Sequence, residues 1–447
     1  MQTVKGSPEK RNRLVRYYES LTYETLPREV VALAKKCLVD VIACAVGGAA
    51  MENSRTIQGF CRENFQGTDA QLWWNGDVLS GMGAAFGNAY AASVLDIDDG
   101  SRTALGHPGG VVIPSVMAVA QSAGSSLGEV LASVVLGYDI GVRFGEVLLQ
   151  NTVGRFHGTG TWAVVGAAAG VAHLFGRSSD VFLDTLGVAE AHASLSPVMK
   201  SIENGSAAKE TMGWGAFTAI IAAGLAAKGF SGVESMLYHE EESRDYQGLD
   251  DLGGDFRITR TYFKRYSACR WTHAPAEAVA TLMQLQGVSA GDIRCVTVWT
   301  HEKALSCRTV YPLNAIQAEY SIPLAVANMI IWGRIGPQQL ELSNLQSESV
   351  SQMARKVVLR HSDECERMFP QKNTAVVEIE LADGSVVKSG LVSPRGDYDD
   401  PLAMEEIVDK YHWLSAAAWN EKKRFRVLER IAGGAFDPDF PVRDLFV

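Results

Sequence analysis

The sequence has no closely spaced pair of cysteines. Its seven cysteines are odd in number and scattered along 447 residues, and this spacing excludes a zinc ribbon. A chain of this length can bury a sizeable core without a disulfide framework. Reduced thiols are typical of a cytoplasmic protein, and that is the location we expect. The cysteines are Cys37, Cys44, Cys61, Cys269, Cys295, Cys307 and Cys365.

Long apolar runs and basic clusters are also missing. No clean stretch of about 20 apolar residues is present, so the sequence predicts no membrane helix, and the polar N-terminus lacks the apolar core of a signal peptide. The net charge of −10 argues against a nucleic acid as partner. An acidic chain binds an anionic substrate only where cations converge locally. Clusters of lysine, arginine and histidine are therefore the places to search for a site.

Motifs for nucleotides and metals are absent as well. The sequence contains neither a G-x-x-x-x-G-K-[ST] phosphate loop nor an H-E-x-x-H metal motif. Gly158 and Gly160 begin like a dinucleotide fingerprint, but the third glycine is missing and no strand is predicted before them. Nucleotide and metal chemistry are therefore disfavoured, and we predict no metal ligands.

The chain up to about residue 260 has the apolar periodicity of helices. A helix is predicted over residues 27–46, with Pro27 near its start, where a helix tolerates proline. Helices rich in alanine, glycine and valine follow, and helices that are apolar on all faces are buried ones. This part therefore predicts a large all-helical domain. The further predicted helices are 79–95, 108–123, 127–150, 160–176, 180–192 and 206–229.

The pattern changes after about residue 260. Residues 296–300 and 375–381 alternate like strands, and a tight turn at 382–385 leads into a third strand from 386. Helices are predicted over 322–333 and 346–359, and again over 402–413 and 416–432. We predict a mainly α protein with a discontinuous helical domain, residues 1–263 and 394–447, and a smaller α+β domain, residues 264–393. The cleft between such domains is the expected place for an active site.

The first polar cluster is Asp96, Asp98, Asp99, Arg102 and His107, within twelve residues. Crowded carboxylates raise one another's pKa, and a neighbouring histidine can then share a proton with them. A single aspartate here would be a turn or cap residue. The whole cluster, which leads into Gly-His-Pro-Gly, favours a function.

The second cluster, Arg155 to Thr161, stands immediately before an Ala/Gly-rich helix. Backbone N–H groups and threonine hydroxyls at a helix start can bind a carboxylate, so Thr159 and Thr161 are candidate substrate contacts. Helix capping by either threonine is the structural alternative. His157 is harder to explain by structure alone.

A third segment runs from Lys200 to Lys209, with Ser206 as a candidate N-cap. Lys200 is predicted to lie in the loop before the helix, where a substrate contact is possible, although a lone lysine is usually a surface residue. Lys209 is predicted to lie inside the helix and on the surface.

The fourth cluster alternates cations and aromatic residues at the predicted domain junction. It contains Lys264, Cys269, Arg270 and His273. Cys269 and His273 are four residues apart, a spacing that on a helix allows a nucleophile–base pair or two metal ligands. No further ligand stands nearby in the sequence, so metal binding is disfavoured.

Taken in order, these clusters resemble the MmgE/PrpD family, which includes 2-methylcitrate dehydratase, cis-aconitate decarboxylase and iminodisuccinate epimerase. The resemblance spans most of the chain. A D-x-D-D…H-P-[SG] pattern is similar to Asp96 through Pro108, and F-H-x-T-x-T is similar to Phe156–Thr161. K-x-x-x-x-G-x-A-A resembles Lys200–Ala208, and K-x-[YF]-x-x-C resembles Lys264–Cys269.

The resemblance implies a homodimer of two-domain subunits without metal or organic cofactor, and an active site between the domains. It places Asp96, His107, His157, Lys200, Lys264 and Cys269 in that site. We expect Cys269, and the arginines Arg102 and Arg270 of the first and fourth clusters, to bind the substrate. Four positions depart from the family's pattern and leave the exact substrate open: Gly158, Glu203, Ser267 and Leu324.

The function implied is a lyase that dehydrates a citrate-like acid or decarboxylates an aconitate-like one. Proton transfer next to a carboxylate builds up negative charge, which Lys200 and Lys264 would stabilise. His107 or His157 would be the general acid/base, and Asp96 would orient a histidine. The alternatives are an isomerase acting on an iminodisuccinate-like dicarboxylate and a non-catalytic relative that binds the ligand.

Overall fold

The computed structural model describes residues 7–152, 157–195 and 197–447. The mainly α fold predicted from the sequence is confirmed. No helix in this described part of the chain combines the length and apolar character needed to cross a membrane. The helices before residue 260 are α1 (Pro8–Ser20), α2 (Arg28–Gly48), α3 (Glu52–Asn64), α4 (Gly81–Ser93), α5 (Gly109–Ala123), α6 (Leu127–Asn151), α7 (Thr159–Leu174), α8 (Ser179–Ala191), α9 (Val198–Glu203) and α10 (Met212–Ala226).

Helices α5, α6 and α7 are buried along nearly their whole length. Small residues allow α6 and α7 to approach closely, since a Cβ on Gly166 would lie 2.2 Å from the carbonyl oxygen of Gly137. Capping residues help determine where a helix begins. Helix α6 begins with a capping box, in which Ser126 Oγ accepts the N–H of Glu129 and Glu129 Oε2 accepts the N–H of Ser126.

Two short strand pairs interrupt the part that was predicted to be all-helical. β1 (Ala70–Gln71) pairs with β2 (Val78–Leu79), and β3 (Gly100–Ser101) pairs with β4 (Thr261–Tyr262), both antiparallel. The second pair joins the loop after α4 to the segment that leads into the C-terminal part.

After residue 260 the chain alternates helices with a four-stranded sheet in the order β6-β5-β7-β8. β5 (Ile293–Thr300) lies antiparallel to β7 (Ala375–Leu381), which pairs with β8 (Val386–Lys388). Helices α11 and α13 pack against each other and contact the sheet. The helices here are α11 (Arg270–Gln286), α12 (Ala315–Glu319), α13 (Ile322–Trp332), α14 (Leu342–Leu345), α15 (Glu348–Ala354) and α16 (Asp363–Met368).

The helix predicted over residues 346–359 is wrong in its second half. Helix α15 ends at Ala354, and β6 (Val357–His361) forms a parallel edge strand beside β5. The β-branched pair Val357 and Val358 packs well on a pleated surface. Its partner strand lies far away in sequence, so helical spacing alone could not reveal it.

The C-terminal helices α17 (Met404–Ser415) and α18 (Glu421–Ala432) pack against α2. Leu127 N–H donates to the carbonyl of Phe440 at 2.9 Å, which ties the C-terminal segment to the start of α6. The chain thus returns to its N-terminal helices, while the domain boundaries at 263 and 394 stay a prediction.

Candidate active site

A cavity containing about 770 Å³ of space, partly open to solvent, lies beside the β3–β4 pair. Its walls come from the loop before α5, His157 just ahead of α7, helix α9, residues 262–271, and Phe369 to Asn373, together with Glu210 and Tyr320. The strand pair brings two of these walls together. Gly100 faces Tyr262, and a Cβ at this glycine would lie 2.2 Å from the tyrosine ring. The small residue therefore permits the contact that places Lys264 beside Asp96.

His107 is held in one orientation at the cavity wall. Its Nδ1 lies 2.7 Å from the carbonyl oxygen of Asp99 and must donate to it. In the neutral ring Nε2 therefore carries the free lone pair. Nε2 lies 3.4 Å from Asp96 Oδ1, 3.5 Å from Lys264 Nζ and 3.9 Å from Glu210 Oε1. One ring nitrogen is thus fixed and the other is available for proton transfer.

Asp96 and Lys264 form a buried ion pair next to this histidine. Lys264 Nζ lies 2.7 Å from Asp96 Oδ1 and 2.9 Å from its carbonyl oxygen, and both side chains are at most 2% exposed. Burial alone would raise the pKa of Asp96, but its electrostatic interactions with Lys264, Lys209 and His107 and its hydrogen bond from Lys264 outweigh burial and lower the pKa below its usual range. The Asp96 carboxyl group therefore stays ionised. The backbone of Asp96 adopts the left-handed conformation, with φ of 49°.

Two further acids lie behind His107. Burial, aided by the charges of Asp40 and Asp98, raises the pKa of Asp99 to about 7, although Tyr138 O–H and Gly109 N–H both donate to this carboxyl group. Burial likewise raises the pKa of Asp98. Asp99 therefore titrates closer to neutrality than an ordinary aspartate does.

Glu210 contributes a second carboxylate to the cavity wall. Its Oε2 accepts the N–H of Thr159 at 3.2 Å and the hydroxyl of the same residue, and its Oε1 accepts the hydroxyl of Tyr320 at 3.1 Å. The Thr159 hydroxyl also accepts the N–H of His107 at 3.0 Å. Thr159 therefore couples the position of Glu210 to that of His107.

Two arginines line another part of the cavity and share one carboxylate. Arg102 Nη2 lies 2.6 Å and Arg270 Nη2 lies 3.1 Å from oxygens of the buried Asp397. Arg102 also donates to the carbonyl of Pro370, and Arg270 donates to the carbonyls of Pro394 and Arg395. This arrangement leaves one positive charge in excess.

Asp96, Asp98 and His107 offer ligand atoms within 4.8 Å of one another, a spacing that could hold a metal ion. Lys264 Nζ contacts two of these donors, however, 2.7 Å from Asp96 Oδ1 and 3.5 Å from His107 Nε2. A positive charge therefore already adjoins two of the three donors, and the set fits a metal ion poorly.

Comparison with known proteins decides the family. Residues 12–245 match the model of the MmgE/PrpD N-terminal domain, and residues 266–432 match that of the MmgE/PrpD C-terminal domain. The chain belongs to the MmgE/PrpD family. A cis-aconitate decarboxylase of Aspergillus terreus is 24% identical over 90% of this chain and 89% of its own length. The human cis-aconitate decarboxylase is 22% identical over 86% of this chain and 83% of its own length.

Most site residues expected from the MmgE/PrpD resemblance meet at this cavity. They come from segments more than 150 residues apart, and His157 contributes an Nδ1 atom that is buried without a partner among the described residues. Cys269 caps helix α11, and His273 bonds to the carbonyl of Ala268 rather than to this thiol. The predicted residues that line the cavity are Asp96, Arg102, His107, His157, Lys264, Cys269 and Arg270.

Three predicted residues lie outside the cavity lining. Thr159 does not line the cavity but donates hydrogen bonds to Glu210, which does. Thr161 O–H donates to the carbonyl of Ser194 at 2.6 Å. Lys200 is exposed on α9, a helix rather than the predicted loop, although the adjacent Val198 and Met199 do line the cavity. Its role in the site stays a prediction.

The prediction for Lys209 was wrong. This lysine is 4% exposed, lies before α10, and forms a 2.8 Å ion pair with the buried Glu319. Ser206 does not cap the helix either, since α10 begins at Met212 with Thr211 as its N-cap. The turns over residues 206–211 allow Lys209 and Glu210 to face inward.

The four departures from the MmgE/PrpD pattern are not part of the lining. Glu203 is exposed, and Leu324 is buried in α13. Arg155 and Phe156, which belong to the second predicted cluster, lie outside the described residues. The lining residues that sequence analysis did not single out include Glu210, Tyr262 and Tyr320. Glu210 and Tyr262 stand next to predicted clusters, whereas Tyr320 does not, and Glu210 and Tyr320 meet only in the folded chain.

Proposed function

We propose that this protein is a lyase that moves a proton on a carbon next to a carboxylate of a small polycarboxylate. The reaction is the dehydration of a citrate-type acid or the decarboxylation of an aconitate-type acid. The observation that carries the proposal is the fixed His107, whose Nε2 points between Asp96, Lys264 and Glu210 at a cavity. The names of the relatives support the aconitate-type reaction.

His107 is the proposed general acid/base. When Nε2 takes a proton from the substrate carbon, the imidazolium lies between the carboxylates of Asp96 and Glu210, which stabilise it. Lys264 stabilises the negative charge that develops on the substrate carboxylate, as a preorganised cation that needs no reorganisation. In a decarboxylation the C–C bond breaks, CO₂ leaves, and the electron pair stays on the substrate as a carbanion. His107, protonated from solvent beforehand, then gives its proton to that carbanion.

His157 is the proposed second proton carrier. It lines the same cavity, and its Nδ1 is buried without a partner among the described residues. In a dehydration it would protonate the leaving hydroxyl group. Two proton carriers at one cavity also suit the second candidate, an isomerase of an iminodisuccinate-like dicarboxylate, which removes a proton from one face and returns one to the other.

We propose that no metal or organic cofactor takes part, because Lys264 supplies the positive charge. Activity is expected to survive prolonged dialysis against EDTA. Loss of activity that one specific metal restores would contradict this mechanism.

We propose a homodimer as well. Helix α10 is apolar on nearly all faces, yet its Trp214 is 54% exposed, with Phe217 and Ile220 beside it only partly buried. Exposed apolar faces of this kind are typical of subunit interfaces. Light scattering after size exclusion is expected to give twice the 48.3 kDa mass of the chain.

The reaction is tested by incubating the protein with 2-methylcitrate, citrate, cis-aconitate and iminodisuccinate in D₂O. Alkene formation followed by NMR identifies the dehydratase, and loss of CO₂ identifies the decarboxylase. Deuterium uptake without a change of skeleton identifies the isomerase. Binding without any of these changes would leave the non-catalytic alternative and contradict the proposal.

A further inference from the structure

The Glu210 carboxylate can accept a hydrogen bond that the proposed proton transfer by His107 does not require. Its side chain is 7% exposed and lines the cavity, and three donors hold its carboxylate in place. Two of them, the N–H and hydroxyl of Thr159, bond to Oε2. All three groups are donors, so the Glu210 carboxylate acts as a hydrogen-bond acceptor at the cavity wall.

One acceptor position remains on the cavity side of this carboxylate. Each oxygen of an ionised carboxylate can accept about two hydrogen bonds. Among the described residues Oε1 accepts one, from Tyr320, and His107 Nε2 lies 3.9 Å from the same oxygen. That distance is too long for a direct hydrogen bond. Oε1 can therefore accept a hydrogen bond from a ligand that lies against His107.

The charges around Glu210 determine which ligand group fits there. Asp96 and Glu210 flank His107, and Lys264 is the cation in direct contact with this group. A substrate carboxylate placed directly against Glu210 would face the carboxylate of this residue, whereas Lys264 and the two arginines that share Asp397 offer it positive charge.

We propose that Glu210 determines substrate specificity by accepting a hydrogen bond from a hydroxyl group of the substrate. The cavity thereby selects a hydroxy-polycarboxylate over an acid of the same skeleton without the hydroxyl. This inference rests on the proposed function, and within it favours dehydration over decarboxylation. Hydrogen bonds to a charged acceptor contribute enough to discriminate about 10- to 100-fold between two such ligands.

Citrate and propane-1,2,3-tricarboxylate are the matched probes, since they share the skeleton and three carboxylates and differ in one hydroxyl. Isothermal calorimetry on the full chain is expected to give at least about tenfold tighter binding of citrate. Glu210→Leu removes charge and acceptor, so the two affinities should then agree within about twofold. Glu210→Gln keeps the volume and a weaker acceptor, and should give an intermediate ratio even if the leucine variant fails to fold.

Glu63→Leu is the control, because Glu63 is exposed on α3, outside the cavity, and the variant should keep the wild-type ratio. Tyr320→Phe keeps the charge of Glu210 and should retain the citrate preference. A wild-type ratio near one, or a ratio that survives both Glu210 variants, would overturn the inference alone. If the wild-type protein binds neither acid, the proposed substrate class fails and the inference fails with it.

Discussion

Two buried lysine–aspartate pairs lie in the described part of the chain, and their aspartates have pKa values shifted in opposite directions. Lys264 and Asp96 are 2.7 Å apart at the cavity, and Lys410 and Asp40 are 2.6 Å apart between α17 and α2. At the cavity the combined cations overcome burial and lower the pKa of Asp96. Between the helices burial outweighs Lys410 and raises the pKa of Asp40.

The difference lies in what surrounds each pair. Lys264 also contacts His107 and lines the cavity, whereas Lys410 donates to the carbonyl of Ile97 and lies within helix packing. Burial of a charge pair is therefore weak evidence of function, since structural pairs are buried equally deeply. The Lys264–Asp96 pair differs from the Lys410–Asp40 pair in two ways: it lines the cavity, and it adjoins His107, the proposed proton carrier.

The largest effect is expected for His107→Gln. Glutamine can still donate towards the carbonyl of Asp99 but cannot carry a proton at the Nε2 position, so kcat should fall about 10²–10⁴-fold while KM changes little. Steady-state kinetics with the substrate found by NMR measures this. His273→Gln is the control, because His273 is buried outside the lining, and its folded fraction should retain kcat. Near-normal turnover in His107→Gln would transfer the acid/base role to His157.

Matched replacements test the two lysine pairs directly. Lys264→Met and Lys410→Met each leave a buried carboxylate without its partner, so each should lower the free energy of unfolding by about 3–5 kcal/mol. Only Lys264→Met should also lower kcat/KM, by about 10²-fold or more, because it removes the cation at the site. Denaturant unfolding and kinetics on the folded protein separate the two effects. If both variants lost activity equally, the conclusion that only the Lys264–Asp96 pair serves the site would be wrong.

Asp99 lies near both pairs and provides a pH test of the region. Its pKa is about 7 in the folded protein, against 3.8 for an unperturbed aspartate. The folded state therefore keeps a proton that the unfolded chain releases, and stability should fall as pH rises from about 4 to 7, by up to about 4 kcal/mol. Asp99→Asn should flatten this slope. Urea unfolding at several pH values measures it, and an unchanged slope would assign the titration to another group.

The smallest effect is expected for Lys200→Ala, because α9 presents Lys200 to solvent. Lys200 is exposed and outside the lining, and exposed charges contribute little, so KM should change less than about threefold. A strong rise in KM would instead restore the role that the family resemblance implies, and would require α9 to turn this lysine into the cavity.

The features that could be predicted are those determined by residues close together in the sequence. In the site, Asp96 and His107 stand in one polar cluster. In the fold, β5 and β7 have a clear alternation of apolar and polar residues. Glu210 and Tyr320 acquire their roles from each other across 110 residues. Lys209 looks like a surface residue until Glu319, equally distant in sequence, pairs with it. Long-range partners also explain β6, whose short apolar pattern is compatible with helix or strand until β5 lies beside it.

The pairing of Gly100 with Tyr262 also fixes the order in which the cavity can be assembled. The two residues are about 160 positions apart, so their contact closes a long loop and costs more conformational entropy than a local contact does. Helices α4 to α8 can form from local contacts before Tyr262 has been synthesised. Until then Asp96, Asp98 and Asp99 lack the ammonium of Lys264. Assembly of the cavity is therefore coupled to near-complete folding, and a fragment that ends before residue 261 would retain these acids without the cation that balances them.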